Sequence, residues 1–137
     1  MEKIISIVET DWKGKYPHGY EKTYEGFIVT TDEQEIKVGI DNRQNCCESW
    51  GYLMSHDAIN EFIGAKLLDI KIVDAALNVK SYTEVVGEYG VDGGGTMFVN
   101  FETDKGTFQL VAYNAHNGYY SHDAVVISKQ LNVSEFL

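Results

Sequence analysis

Short runs in which apolar and polar residues alternate set the strongest limit on what this chain can fold into. From Tyr24 to Asp41, Phe27 and Val29 fall on one side and Thr31-Asp32-Glu33-Gln34 supplies a turn. Ile36, Val38 and Ile40 then alternate with Glu35, Lys37 and Gly39. A period of two gathers the apolar side chains on one face of an extended strand, whereas a helix would scatter them around its axis. The segment reads as a β-hairpin. Residues 3–9 give a first strand, and residues 11–23 a loop around the single proline. Leu68, Ile70 and Ile72 alternate with Asp69 and Lys71, in a strand expected to run past Asp74 towards Tyr82. Met97, Val99 and Phe101 lead through the turn Asp104-Lys105-Gly106 into Phe108–Tyr113, and Ala124–Ser128 makes a further strand.

Helical signals are few. Ser55 is a candidate cap, Asp57 lies in a first turn, Ile59, Phe62 and Ile63 form an apolar stripe, and Gly64 ends it. Val133–Leu137 reads as a short helical turn, and residues 87–95, rich in glycine, as a flexible connection. No repeat or linker divides the 137 residues. The expectation is one α+β domain over residues 1–137, mainly antiparallel β-sheet with one or two short helices.

Charge narrows the partners. Eleven basic side chains stand against twenty-one acidic ones, a net charge of −10, so a DNA or RNA polymer, which needs a basic face, is not expected. One or two local cations and backbone amides still suffice for a small anion. The single arginine, Arg43, is therefore informative. No apolar run approaches the ~20 residues of a membrane helix, and the opening residues are too short in apolar character for a signal peptide. The reading is a cytoplasmic protein without a membrane partner.

Two polar, aromatic-rich segments interrupt the strand pattern, residues 42–52 and 113–123. The second packs three tyrosines, two histidines and two asparagines into eleven residues. A hairpin turn needs only Asn117-Gly118; imidazoles and phenols add flat faces with hydrogen-bonding tips. Trp50, Tyr113, Tyr119 and Tyr120 are candidates to stack on a purine, and Arg43 to hold a phosphate in its planar fork. Asn45, Asn114 and Asn117 offer paired donors and acceptors for ribose hydroxyls or a base edge, with His116 and His122 beside them. The plainer alternative makes these rings core or protein-interface aromatics and the asparagines turn formers.

Catalytic and metal readings are weaker. Cys46 and Cys47 are adjacent, so their side chains diverge, whereas zinc patterns separate paired cysteines by two to four residues. A thiol nucleophile with His116 or His122 as base matches no hydrolase pattern. The glycine run before Thr96 lacks the Gly-Lys-Ser/Thr ending of a phosphate loop. Carboxylates such as Asp11, Glu25, Glu48 and Asp123 are scattered along the chain. No metal and no cofactor is expected.

Together, Tyr24-Glu25-Gly26, Asn45-Cys46-Cys47-Glu48 with Trp50-Gly51, Phe62-Ile63-Gly64-Ala65, Met97-Phe98-Val99-Asn100 and Tyr113-Asn114 through His122 form an extended likeness. The chain resembles the first-described kind of Thoeris anti-defence protein, a phage "sponge". The resemblance implies a homo-oligomer, a dimer or dimers assembled into a hexamer, in the cytoplasm of an infected or lysogenic bacterial host. It implies binding without cleavage of cyclic ADP-ribose isomers, with cyclic oligonucleotides taken by some members. Such proteins use arginines and an aromatic ring; this chain carries Arg43 alone. A binder rather than an enzyme is the expectation, with a structural or protein-binding module and a thiol or zinc hydrolase as alternatives.

Overall fold

The alternation at 24–41 becomes a hairpin of β2 (Glu21–Thr31) and β3 (Glu35–Asp41) in the computed structural model. The structure describes residues 2–15, 21–43, 48–87, 90–91, 93–116 and 121–137. Thr31 closes the turn: its Oγ1 accepts from the N–H groups of Glu33 and Gln34, both at 3.1 Å. Around this hairpin a five-stranded antiparallel sheet forms from β1 (Ile4–Lys15), β2, β3, β8 (Asp123–Ile127) and β9 (Asn132–Phe136), in that order. A four-stranded antiparallel sheet runs in the order β4 (Ser49–Met54), β7 (Gly106–Ala115), β6 (Gly95–Thr103), β5 (Leu67–Val73).

The two sheets bury one core between them. Phe27, Val29, Ile36, Val38, Ile40, Ala124 and Val126 from the first meet Met97, Val99, Phe101, Phe108, Leu110 and Ala112 from the second. Every one of these is an alternate residue of its strand, which is why period two was visible in the sequence. Each large side chain so buried contributes about 1.5–3 kcal/mol. Phe101 and Phe108 sit opposite each other on β6 and β7 with rings 4.8 Å apart and nearly parallel. The connecting turn requires Gly106, whose φ of +117° a residue with a Cβ rarely adopts.

On its outer face the four-stranded sheet carries α1 (Val79–Val86), capped by Asn78, whose side chain accepts from Ser81 N–H. Tyr82 and Val86, one turn apart, pack on Leu53, Phe98 and Val111. The architecture is mainly antiparallel β in a single domain, as the alternation requires. Among the described residues no helix is long and apolar enough to cross a membrane.

Several local expectations give way. Residues 11–15 and 21–23 continue β1 and β2, because Trp12 and Tyr24 face each other across the ladder and stack, with rings 5.9 Å apart. Residues 49–52 belong to β4, although their composition reads as a loop. The expected helix after Ser55 shrinks to a four-residue 3-10 helix, Ile59–Phe62; Ser55 does not cap it, and its hydroxyl accepts from Gln109 N–H instead. The strand ends at Val73, and the residues towards Tyr82 turn into α1, where the i, i+4 pair Tyr82 and Val86 outweighs β propensity. Val133–Phe136 pairs with β8 and is a strand, with no helical turn.

Candidate functional site

The strand ends from which both polar segments leave lie at one end of the sandwich. The chain passes from β3 in one sheet to β4 in the other through residues 42–48, and returns from β7 to β8 through residues 116–122. The stems are paired on both sides. Ile40 faces Ala124 in the β3–β8 ladder, while Ser49 faces Ala115 and Trp50 faces Asn114 in the β4–β7 ladder. The strand ends that bound the two crossings are therefore neighbours in both sheets.

A buried ionic cluster locks their bases together. His122 is fully buried between Asp41 and Glu48. Its Nδ1 lies 2.9 Å from the Asp41 carbonyl and 3.0 Å from Asp41 Oδ1, and its Nε2 lies 2.7 Å from Glu48 Oε1. A ring with acceptors at both nitrogens donates from both, which is the imidazolium form. Burial opposes that charge, but the hydrogen bonds to Asp41 and Glu48 outweigh it and push the His122 pKa up to about 9. Asp41 responds in the opposite sense. Burial would raise its pKa; hydrogen bonds from His122 and from Asp123 N–H, with the charges of His122 and Lys22, hold it down at about 2.

Lys22, itself buried, sits 3.6 Å from both Asp41 and Asp123. Asp123 also receives hydrogen bonds from Tyr24 Oη at 2.7 Å and from Ser134 Oγ. Burial, that hydrogen bond and the neighbouring carboxylates drive the Tyr24 pKa upward, so the phenol stays a donor. Arg43 completes the set from outside: its Nε is 3.5 Å from Asp41 Oδ1 while its side chain is 63% exposed. Trp50 stacks on His122 with ring centroids 5.6 Å apart. Its indole Nε1 is buried and has no hydrogen-bond partner among the described residues.

Of the residues singled out from sequence, Arg43, Trp50 and His122 converge on Asp41 and its neighbours. Asn114 and His116 stand next to them but reach towards the last residue: Asn114 Nδ2 is 3.2 Å and His116 Nε2 3.3 Å from the Leu137 carbonyl oxygen. Asn45, Asn117, Tyr119 and Tyr120, and with them Cys46 and Cys47, lie outside the described residues. Among the described residues no group of three or more His, Cys, Asp or Glu side chains is arranged to hold a metal ion. Lys22, Tyr24 and Asp41 were missed, because their meeting depends on the pairing of β3 with β8. A partial signal existed: Lys22 and Tyr24 extend the outward-facing register of β2, and Asp41 ends β3 two residues before Arg43.

The sequence profile described as Domain of unknown function (DUF7448) matches residues 1–126, nearly the whole chain. The chain belongs to the DUF7448 family. No curated protein and no solved structure matches it significantly. Within this DUF7448 domain, the profile takes in both crossings and stops inside β8, before β9.

Proposed function

We propose that this protein binds and sequesters a small nucleotide signal of the cyclic ADP-ribose kind, unchanged, at the paired crossings, and serves as a phage anti-defence protein in the bacterial cytoplasm. The observation that carries the reading is the convergence of Arg43, Trp50 and His122 around Asp41, at the paired strand ends from which both crossings leave. Asp41 engages Arg43 through Nε, and the side chain is 63% exposed, so its guanidinium fork is accessible to a phosphate. Trp50 faces Asn114 across the β4–β7 ladder and stacks on His122, so its ring stands at the stems of both crossings. Sub-micromolar capture requires more than ~8 kcal/mol. One stacked base supplies ~1–3 kcal/mol, and each hydrogen bond to a charged group ~1.5–3 kcal/mol.

Sequestration fits the state of His122 better than catalysis does. With both nitrogens donating to carboxylates, the ring has no lone pair with which to take a proton. Assembly into a homo-oligomer is part of the reading, supported by Phe136, which is 76% exposed on the edge strand β9. Light scattering of Phe136→Ser against the parent protein tests it; an unchanged mass removes β9 from the interface.

The test of function is direct. The purified protein is mixed with cyclic ADP-ribose isomers, separated from free ligand, and heated until it denatures. Release of intact ligand is the expected result. Ligand returned in altered form means an enzyme, and no uptake of any isomer ends the proposal.

A further inference from the structure

β1 lies at the edge of the five-stranded sheet, with β2 as its neighbour. Its start is covered: Lys3 bridges Lys66, and Ile4 exchanges backbone hydrogen bonds with Ala65 and Gly64 at 2.9 and 2.7 Å. From Ser6 to Lys15 the register with β2 runs without a shift. Among the described residues no backbone hydrogen bond outside that ladder reaches these positions. A long, regular edge is a template for another strand unless a bulge, a proline or charge blunts it. The bulge in β1 sits before this stretch, between Ile4 and Ser6, and the strand contains no proline. That leaves charge, and here the pattern of charge favours pairing.

Because alternate residues share a face, positions 9, 11, 13 and 15 belong together: Glu9, Asp11, Lys13 and Lys15, two minus signs followed by two plus signs. Two antiparallel copies related by a two-fold axis keep their faces, so the axis passes between one residue and its own equivalent. An axis at 9, 11, 13 or 15 sets a charge against itself. One at 10 sets Glu9 against Asp11, and one at 14 sets Lys13 against Lys15. Only an axis at Trp12 opposes unlike charges throughout, Asp11 to Lys13 of the second copy and position 9 to position 15, each twice. Within one chain Asp11 stands directly opposite Glu25, a like-charge pair that weakens the ladder. Lys13 of a second copy brings a cation into that row. Trp12 leaves the edge clear, since its ring stacks on Tyr24 and reaches over Gly39 on β3, where a Cβ would stand 2.5 Å from it.

We propose that β1 pairs antiparallel with β1 of a second copy of this chain about a two-fold axis at Trp12, joining two five-stranded sheets into one continuous sheet. The shared ladder, positions 9–15, is about 20 Å long, the length of an ordinary strand. This names a contact for the assembly proposed above and rests on that part of the reading alone; nucleotide capture does not enter it.

Sedimentation equilibrium of the full chain and of two variants, Asp11→Lys and Lys13→Asp, tests the register. The parent is expected to be at least a dimer. Each variant alone turns both Asp11–Lys13 pairs into like-charge pairs, so its dissociation constant should rise about tenfold or more, and its mass should fall to half the parent's. Mixed in equal amounts, the two variants again oppose unlike charges at both places, and the parent's mass should return. Both side chains are exposed, so the fold does not depend on them, and recovery on mixing is a result that misfolded chains cannot give. A monomeric parent ends both this proposal and the assembly. An assembled parent whose mass neither variant lowers, or variants that stay apart when mixed, overturns the β1 contact alone, and the ligand-release assay judges nucleotide capture separately.

Discussion

The sharpest consequence of the cluster is a stability that falls as pH rises. His122 has a folded pKa of about 9 against an ordinary value of 6.5, so between those limits the folded chain holds a proton that the unfolded chain has released. Stability from this group is therefore complete below about pH 6.5 and is lost as pH climbs through about 9. The gap corresponds to about 3 kcal/mol, and because His122 is fully buried no large allowance for solvent screening applies. Urea unfolding at a series of pH values from about 6 to about 10 measures it. His122→Gln removes the titrating group, so the parent's advantage over the variant should shrink by about 3 kcal/mol across that range. Removing the cation leaves Asp41 and Glu48 without His122's charge, a loss of about 3–5 kcal/mol at neutral pH. Should that variant not fold, Glu48→Gln keeps an acceptor at Nε2 without its charge and should move the alkaline loss to lower pH. Parallel pH profiles for the parent and these variants would refute the imidazolium assignment.

Other perturbations have equally definite outcomes. Arg43→Ala should weaken nucleotide capture about 10- to 100-fold by calorimetry, the loss of one or two charge-assisted hydrogen bonds, while the exposed side chain leaves the melting temperature nearly unchanged. Phe108→Ala, which removes a fully buried ring stacked on Phe101 and touching Phe62, should cost about 3–5 kcal/mol in chemical denaturation. Gly39→Ala would set a methyl group against the Glu25 carbonyl and 2.5 Å from the Trp12 ring, so a loss of about 1–3 kcal/mol is expected by thermal unfolding. Asn78→Ala should remove the cap of α1, costing about 1 kcal/mol and speeding amide exchange in Ser81 and its neighbours.

Legibility in the sequence followed the range of the physics. The hairpins at 24–41 and 97–113 could be read because period-two burial is written residue by residue, and the structure buries Phe27, Val29, Ile36, Val38 and Ile40 as that rule demands. The turn at Thr31–Gln34 was equally local. Residues 49–52 were hidden because β4 is an edge strand with Ser49 and Gly51 on its outward side, so its composition mimics a loop. β9 was hidden for a related reason: with its Val133 only partly buried and Phe136 exposed, it has little apolar patterning, and its identity as a strand comes from the ladder with β8. At the candidate site, residue types with flat faces and forked donors drew notice to Arg43, Trp50 and His122. The carboxylates that organise them, Asp41, Glu48 and Asp123, needed the long-range meeting of β3 and β8.

Each crossing is anchored at both ends in ladders that also hold the other crossing: β3 is zipped to β8, and β4 to β7. The strands on either side of His122, Asp41 and Glu48 are thus held in register by backbone hydrogen bonds. Exchange of the exposed Arg43 leaves that backbone register intact, which makes position 43 the natural place to begin a library for the ligand preference proposed above.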